Sequence, residues 1–408
     1  MKILFVHQNF PGQFLHLAPA LAARGHEVRA LTAERNTRPA PVPVLRYRNP
    51  PENPVQGIAR TYAEMSGRGL IVARAAEQLG RQTGFVPDLV FGHGGWGETL
   101  FLREVWPEAR HLTYAEFYYA STGLDTDFDP EFATPGLMPR LAVAARKAHL
   151  LQAITEADAA LSPTAWQAST FPAEAQGKIT VIPDGIDTAR LVPDPAARVV
   201  LRDGTVLERG DEVITFVSRN LEPYRGYHIL MRALPEVLRA RPQARVVIVG
   251  GEGQSYGARP PGAKSWKQTF LDEVAPELDL ARVHFLGRVP YGEFVALMQV
   301  SSVHAYLTYP FVLSWSLLEA MSCGAFVLCS RTPPVTEVIR DGENGRLVEF
   351  FDVPGWSRAL IAALAEPGAS RALRAAARET ILARYDLRSQ CLPRLVAFVE
   401  GAGAPTPA

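Results

Sequence analysis

A chain of 408 residues exceeds one ordinary hydrophobic core, and a prior of roughly 150 residues per domain predicts two domains. Its 47% apolar and 21% charged residues are those of a water-soluble globular protein, and Lys+Arg and Asp+Glu are equal at 42 each. That balance argues against nucleic acid as the main partner, which draws a basic excess or a concentrated basic stripe. No apolar stretch approaches the ~18 residues of a membrane span. The opening run Met1–His7 is too short for a signal peptide and reads as a buried strand. Cys323, Cys329 and Cys391 are odd in number and lack metal-type spacing, so they read as reduced core thiols of a cytoplasmic protein. The nine histidines form no close pair along the sequence, and no metal site or cofactor is expected.

Apolar strands alternate with amphipathic helices from the first residue onward. Ile3–Val6 is a strand, followed by a helix over Gln13–Arg24 that stops at Gly25. Strands follow at Glu27–Leu31 and Val44–Tyr47, then a long helix over Val55–Arg81. Asp88–Gly92, Arg110–Tyr114, Ala159–Ser162 and Lys178–Ile182 complete the first half. The turn-rich segment Pro183–Pro195 marks the domain junction. The pattern then restarts with Val213–Val217, Arg245–Val249, Val283–Leu286, Val303–Leu307, Phe326–Cys329 and Gly345–Val348. Continuous apolar strands between helices imply parallel sheets covered on both faces. The fold class is therefore α/β, with two Rossmann-like, doubly wound parallel-sheet domains. Their expected bounds are 1–190 and 191–385, with a terminal helix 386–400 packing back on the first domain and a disordered tail 401–408. Pro39–Pro54 and Gly251–Gly262 are loops, the second directly after a strand end.

In such sheets ligands bind beyond the carboxyl ends of the strands, so the strand-to-helix turns carry the information. The first turn, His7-Gln8-Asn9-Phe10-Pro11-Gly12-Gln13, sets a glycine before a helix, where backbone can approach an anion or simply turn. Ser218-Arg219-Asn220-Leu221-Glu222-Pro223-Tyr224-Arg225-Gly226 puts two forked cations around one turn, suited to a polyanion or left as solvated surface groups. A third turn leads into a helix beginning near Ser314, where Ser314, Ser316 and Leu317 would leave amide hydrogens free for a diphosphate. Glu319 lies deeper in that helix in apolar company and needs a partner, either ribose hydroxyls or an internal group.

The ordered set Arg219…Arg225-Gly226, Val246–Gly250, Phe285-Leu286-Gly287, Leu318-Glu319-Ala320-Met321…Gly324 and Glu337…Gly342…Asn344-Gly345 resembles the nucleotide-binding half of the retaining glycosyltransferases of family 4. Val181–Asp187 is similar to that family's interdomain signature. The resemblance implies a GT-B fold with the two domains facing across a cleft, a nucleotide-sugar donor bound mainly by the second domain, and transfer with retention and without metal. It makes Arg219 the phosphate-binding arginine and sets Arg225 where lysine is usual. Glu319 becomes the second acid of a Glu-x7-Glu motif, holding ribose. The first acid falls at Phe311, a departure that leaves the sugar and its binding open. Gly12, Gln13, Gly287, Arg288 and Val289 complete the expected donor contacts.

The family often carries a histidine behind a Thr-aromatic pair. Here Thr113-Tyr114 leads instead to Ala115-Glu116, so Glu116 is a candidate sugar contact, with a structural ion pair as the alternative. His93, in Gly92-His93-Gly94-Gly95-Trp96-Gly97, is a second candidate or a core histidine. The aromatic and acidic run Tyr114–Asp129 suits carbohydrate, or else is a loop pinned by buried tyrosines. The expected reaction moves a sugar to a hydroxyl of a carbohydrate or lipid-linked acceptor in polysaccharide or glycolipid synthesis. It would run in the cytoplasm or at the inner face of the membrane, with peripheral membrane association. A nucleotide-sugar epimerase of GT-B architecture and a non-catalytic sugar-nucleotide binder are the alternatives.

Overall fold

The computed structural model describes residues 1–260, 262 and 264–401, so Pro261 of the second Pro-rich loop and the tail 402–408 lie outside the described residues. Packing divides the chain into two compact units. The first comprises Met1–Asp127, Ala133–Asp184 and Cys391 onward, and the second Phe128–Phe132 and Gly185–Gln390.

The first unit holds a seven-stranded parallel sheet in the order β3-β2-β1-β4-β5-β6-β7. Its strands are β1 (Lys2–Val6), β2 (Glu27–Ala33), β3 (Val44–Tyr47), β4 (Leu89–His93), β5 (Arg110–Tyr114), β6 (Ala159–Ser162) and β7 (Ile179–Val181). Ile3, Leu4, Phe5 and Val6 of the central strand are all fully buried, because apolar layers cover both faces of the sheet. One layer gathers Phe14, Leu17, Leu21, Leu395 and Val399, and the other Val72, Ala76, Leu79 and Phe85. The expected first helix is broken into a tight turn, Gly12–Phe14, and a helix, Leu17–Ala23. Helices Leu137–Arg146 and Ala148–Glu156 were not assigned from sequence.

The second unit holds a six-stranded parallel sheet in the order β12-β11-β10-β13-β14-β15. Before it comes an antiparallel hairpin of β8 (Arg198–Val200) and β9 (Val206–Glu208), which sequence reading missed. The sheet strands are β10 (Val213–Asn220), β11 (Arg245–Gly251), β12 (Val283–Gly287), β13 (Val303–Tyr306), β14 (Phe326–Ser330) and β15 (Arg346–Val348).

The unit borders differ from the expected 190 and 385. Residues 185–190 and 386–390 fold with the second unit because their backbones pair: Ile186 N–H donates to Tyr385 O at 2.8 Å and Leu387 N–H to Ile186 O at 2.9 Å. The last helix, Leu392–Glu400, belongs to the first unit, where Glu400 pairs with Arg24 at 2.8 Å. In each sheet the strand order reverses once, between β1 and β4 and between β10 and β13. The turns flanking those reversals are where open α/β sheets take ligands.

Candidate functional site

In the first unit, the turns after β1, β4 and β5 bring His7, Gly12, Gln13, His93 and Glu116 together. Asn9 N–H donates to His7 Nδ1 at 2.9 Å, which leaves the His7 proton on Nε2, 2.9 Å from Gln13 Oε1. The Gln13 amide then donates to Glu116 Oε1 at 3.2 Å. Gly12 sits at φ +50°, and a β-carbon there would lie 2.5 Å from His7 Nε2, so glycine is what lets the turn close over the ring. His93 is fixed similarly: its Nδ1 accepts from Gly95 N–H at 3.0 Å, and Nε2 faces Glu116 Oε2 at 3.6 Å. The His93 ring is stacked on Trp96 at 4.0 Å and on Tyr114 at 5.3 Å. Glu116, about one-third exposed, thus lies where donors oriented by the turns after β1 and β4 converge. Burial, with His93 nearby, holds His7 well below the ordinary histidine range. The histidines, unpaired in sequence, do meet in space, with the rings of His7 and His93 5.5 Å apart.

In the second unit, Arg219, Arg225, Gly287, Arg288, Val289, Phe311 and Ser314 fall at the carboxyl ends of the strands or in the turns beyond them, and Ser316, Leu317 and Glu319 lie in the helix that follows β13. Arg219 is exposed at the end of β10. Arg225 is buried: its Nη1 donates to Thr308 Oγ1 at 2.8 Å and Val312 O at 2.9 Å, tying the turn after β10 to the turn after β13. Gly226 follows at φ +69° against the Leu307 side chain, where any β-carbon would collide. Phe311 is not presented to solvent. It is 3% exposed and lies edge-on to Tyr224 and Tyr256, with ring centroids 5.6 and 4.7 Å away.

Ser314 caps the helix Trp315–Ser322, accepting from Ser316 N–H at 3.4 Å while its own N–H donates to Tyr306 Oη at 2.8 Å. Glu319, half-buried on that helix, accepts from Tyr291 Oη at 2.7 Å. Burial pushes its carboxyl above the ordinary range, opposed by the Tyr291 hydrogen bond and by the charge of Arg190. Gly287 ends β12 in the left-handed region at φ +67°, leading into exposed Arg288 and then Val289, which packs on the core.

Glu222 escaped the sequence reading. It is fully buried, and its Oε2 accepts from the N–H groups of Ser255 and Tyr256, both at 3.1 Å, fixing the loop after β11. The signal available was a lone acid before proline in the arginine turn. Among the described residues, Asp129, Glu131 and His228 form the group able to hold a cation. Those carboxylates are already engaged: Glu131 pairs with Arg232 at 2.6 Å, and Asp129 accepts from Tyr309 Oη at 2.6 Å beside His228 Nε2 at 3.0 Å.

Two family models match the chain in succession: a glycosyl transferase family 4 group over residues 24–191 and glycosyl transferases group 1 over residues 202–380. The chain belongs to the family 4 glycosyltransferases. A D-inositol 3-phosphate glycosyltransferase of Rhodococcus jostii is 26% identical over 372 residues, 87% of this chain and 76% of the relative. A GDP-mannose-dependent alpha-(1-6)-phosphatidylinositol monomannoside mannosyltransferase of Mycolicibacterium smegmatis is 30% identical over 217 residues, 51% of this chain and 53% of the relative. Among solved structures, a sucrose-phosphate synthase from Thermosynechococcus elongatus aligns with a TM-score of 0.73 at 18% identity, covering 99% of this chain and 100% of that one. Anabaena HepE in complex with UDP-glucose aligns at 0.68 and 16% identity, over 98% and 100%. The glycosyltransferase thus has the GT-B fold, and no helix among its described residues is long and apolar enough to cross a membrane.

Proposed function

We propose that this glycosyltransferase moves a sugar, with retention and without a metal, from a nucleoside-diphosphate donor to a hydroxyl of a carbohydrate or lipid-linked acceptor, in polysaccharide or glycolipid synthesis. The observation that carries this is the composition of one sheet edge in the second unit: an exposed Arg219, the capped helix start at Ser314, and the carboxylate of Glu319 held by Tyr291. A permanent cation and the positive end of a helix suit a diphosphate, and an oriented carboxylate suits a vicinal diol. The relatives named for inositol phosphate and phosphatidylinositol mannoside, and the HepE complex with UDP-glucose, support the same classes of donor and acceptor.

As the glycosidic C–O bond breaks, negative charge grows on the leaving phosphate, where Arg219 and the helix start stabilise it. The acceptor hydroxyl enters on the same face and gives its proton to that phosphate, so no protein nucleophile is needed. Glu116, oriented through Gln13 and His93, is the acid assigned to the transferred sugar. Phe311, enclosed by tyrosines, supports a looser reading of the family motif, in which it stiffens the loop rather than contacting the sugar.

Membrane association is assigned to the first unit. Helix Leu137–Arg146 exposes Leu137 and Met138, each 65% accessible, beside an exposed Arg140, a surface suited to the headgroup region of an anionic bilayer. Sedimentation with anionic vesicles should fall for Met138→Ser, and equal sedimentation removes this assignment.

The test of function is incubation with a panel of sugar nucleotides, with and without simple acceptors, in the presence of a chelator. Nucleoside diphosphate released faster with acceptor supports transfer, and activity that survives chelation supports metal independence. A changed sugar still attached to nucleotide, or tight binding without turnover, overturns the proposal.

A further inference from the structure

A cavity of about 500 Å³ opens in the second unit where Pro193, Gly324 and Gly368 meet the first turns of helix Arg371–Arg384. Four arginines line it, Arg209, Arg371, Arg374 and Arg378, against one carboxylate, Glu379. Uncharged oxygens hold three of the guanidinium groups. Arg209 donates to the carbonyls of Gln299 and Gly324. Arg374 donates to Ser302 O at 2.7 Å, and Arg378 to Leu191 O at 2.9 Å and Ser322 O at 2.6 Å. Carbonyls orient these cations and leave their charge uncancelled.

Two further observations point to a missing anion. The Nε–H of Arg374 is buried without a hydrogen-bond partner. Burial and the field of Arg209 together pull the Arg374 guanidinium down to about 10, a direction that only unrelieved desolvation and like charge produce. The cavity also faces the start of a fourteen-residue helix, whose dipole adds to the positive potential.

The location separates this cavity from the donor edge. Ser302 precedes β13 and Gly324 lies just before β14, so the arginines gather at the amino ends of the strands, whereas Arg219 and Ser314 lie at the carboxyl ends. The volume is within the ~300–1,000 Å³ of small-ligand pockets, and forked, permanently charged donors match phosphate oxygens.

We propose that this cavity is a second anion site, which takes a soluble phosphate ester or diphosphate on Arg209, Arg371 and Arg374. The full chain is titrated with inorganic pyrophosphate by calorimetry, in wild type, Arg371→Ala, Arg374→Ala and Arg219→Ala. Expected is saturable binding that weakens about tenfold or more in Arg371→Ala and Arg374→Ala and persists in Arg219→Ala. Arg371 is exposed, so its variant keeps the fold and stands for the site if Arg374→Ala unfolds. Affinity within twofold of wild type in Arg371→Ala overturns the proposal. So does affinity lost only in Arg219→Ala, which would put the anion at the donor edge, and so does an absence of saturable binding at millimolar pyrophosphate. Whether sugar transfer occurs is read separately, so either idea can fail without the other.

Discussion

Tyr291 donates its phenolic hydroxyl to Glu319 at 2.7 Å, joining the helix after β12 to the helix after β13. The bond leaves the second carboxylate oxygen to accept from a ligand diol. Glu319→Gln should weaken nucleoside-diphosphate binding about tenfold (~1.4 kcal/mol). Because burial raises this carboxyl in the folded protein, the charged form costs stability above the ordinary carboxylate range. The amide variant should therefore melt no lower than wild type. Calorimetry and thermal denaturation check both, and unchanged nucleotide affinity would refute the ribose role.

Arg219 and Arg225 separate into different jobs. Exposed Arg219 should act on the leaving diphosphate, so Arg219→Ala lowers kcat by about 10²–10³ and Arg219→Lys recovers only part. Arg225 uses a single nitrogen, Nη1, for both of its hydrogen bonds. A lysine ammonium can serve both acceptors, so Arg225→Lys should keep most of the stability and activity. Arg225→Met strands Thr308 and the Val312 carbonyl and should cost about 1–3 kcal/mol in urea unfolding. A harmless Arg219→Lys with a crippling Arg225→Lys would reverse the assignment.

Removing the carboxylate that accepts from Gln13 should slow turnover more than it weakens donor binding. Glu116→Ala is expected to lower kcat by at least about tenfold with a nearly unchanged donor Kd, and Gln13→Ala by a smaller factor through lost orientation. Parallel kinetic and binding measurements decide it. Turnover equal to wild type in Glu116→Ala leaves that acid a purely structural one.

His304 sets an acid limit on the second unit. Its Nδ1 lies 3.0 Å from Thr215 Oγ1, its Nε2 is buried without a partner, and burial pushes the ring down to about 4. The unfolded chain takes up a proton near 6.5, which the folded ring refuses, so stability is complete above that value and falls as pH drops toward 4. Between pH 7 and 5 this residue alone should remove ~2 kcal/mol. Urea unfolding of His304→Gln at both values should show a loss smaller by about that amount. Identical losses in variant and wild type would show that other groups carry the acid sensitivity.

The strands were legible because a buried parallel strand is apolar along its whole length. Val44–Tyr47, Arg110–Tyr114 and Ala159–Ser162 begin and end where composition placed them. Hairpin β8–β9 was not legible, since each three-residue strand buries only its middle side chain, Val199 or Leu207, and leaves no periodic signal. The gathering of Arg219, Ser314 and Glu319 beyond the carboxyl ends of the second sheet was readable through the spacing of a family motif. Glu222 was not, because its worth lies in two amide hydrogens of a loop more than thirty residues away. The run Tyr114–Asp129 could be read as a sugar platform, but Asp125 and Asp129 are buried and Phe128 packs on Tyr309 and Phe350. Side-chain type marked that segment as special without saying what it meets.

The placement of Phe128–Phe132 in the second unit has a consequence for any attempt to divide or recombine this chain. Phe132 covers His228, Trp266 and Phe270, and Glu131 closes on Arg232. A gene fragment starting at Gly185 would therefore yield an incomplete body, with a bare aromatic trough and an arginine short of one of its two carboxylates. A hybrid enzyme joined at the same point would inherit five residues chosen for a different partner. The heritable module is the whole reading frame, since half of it does not specify either folded body.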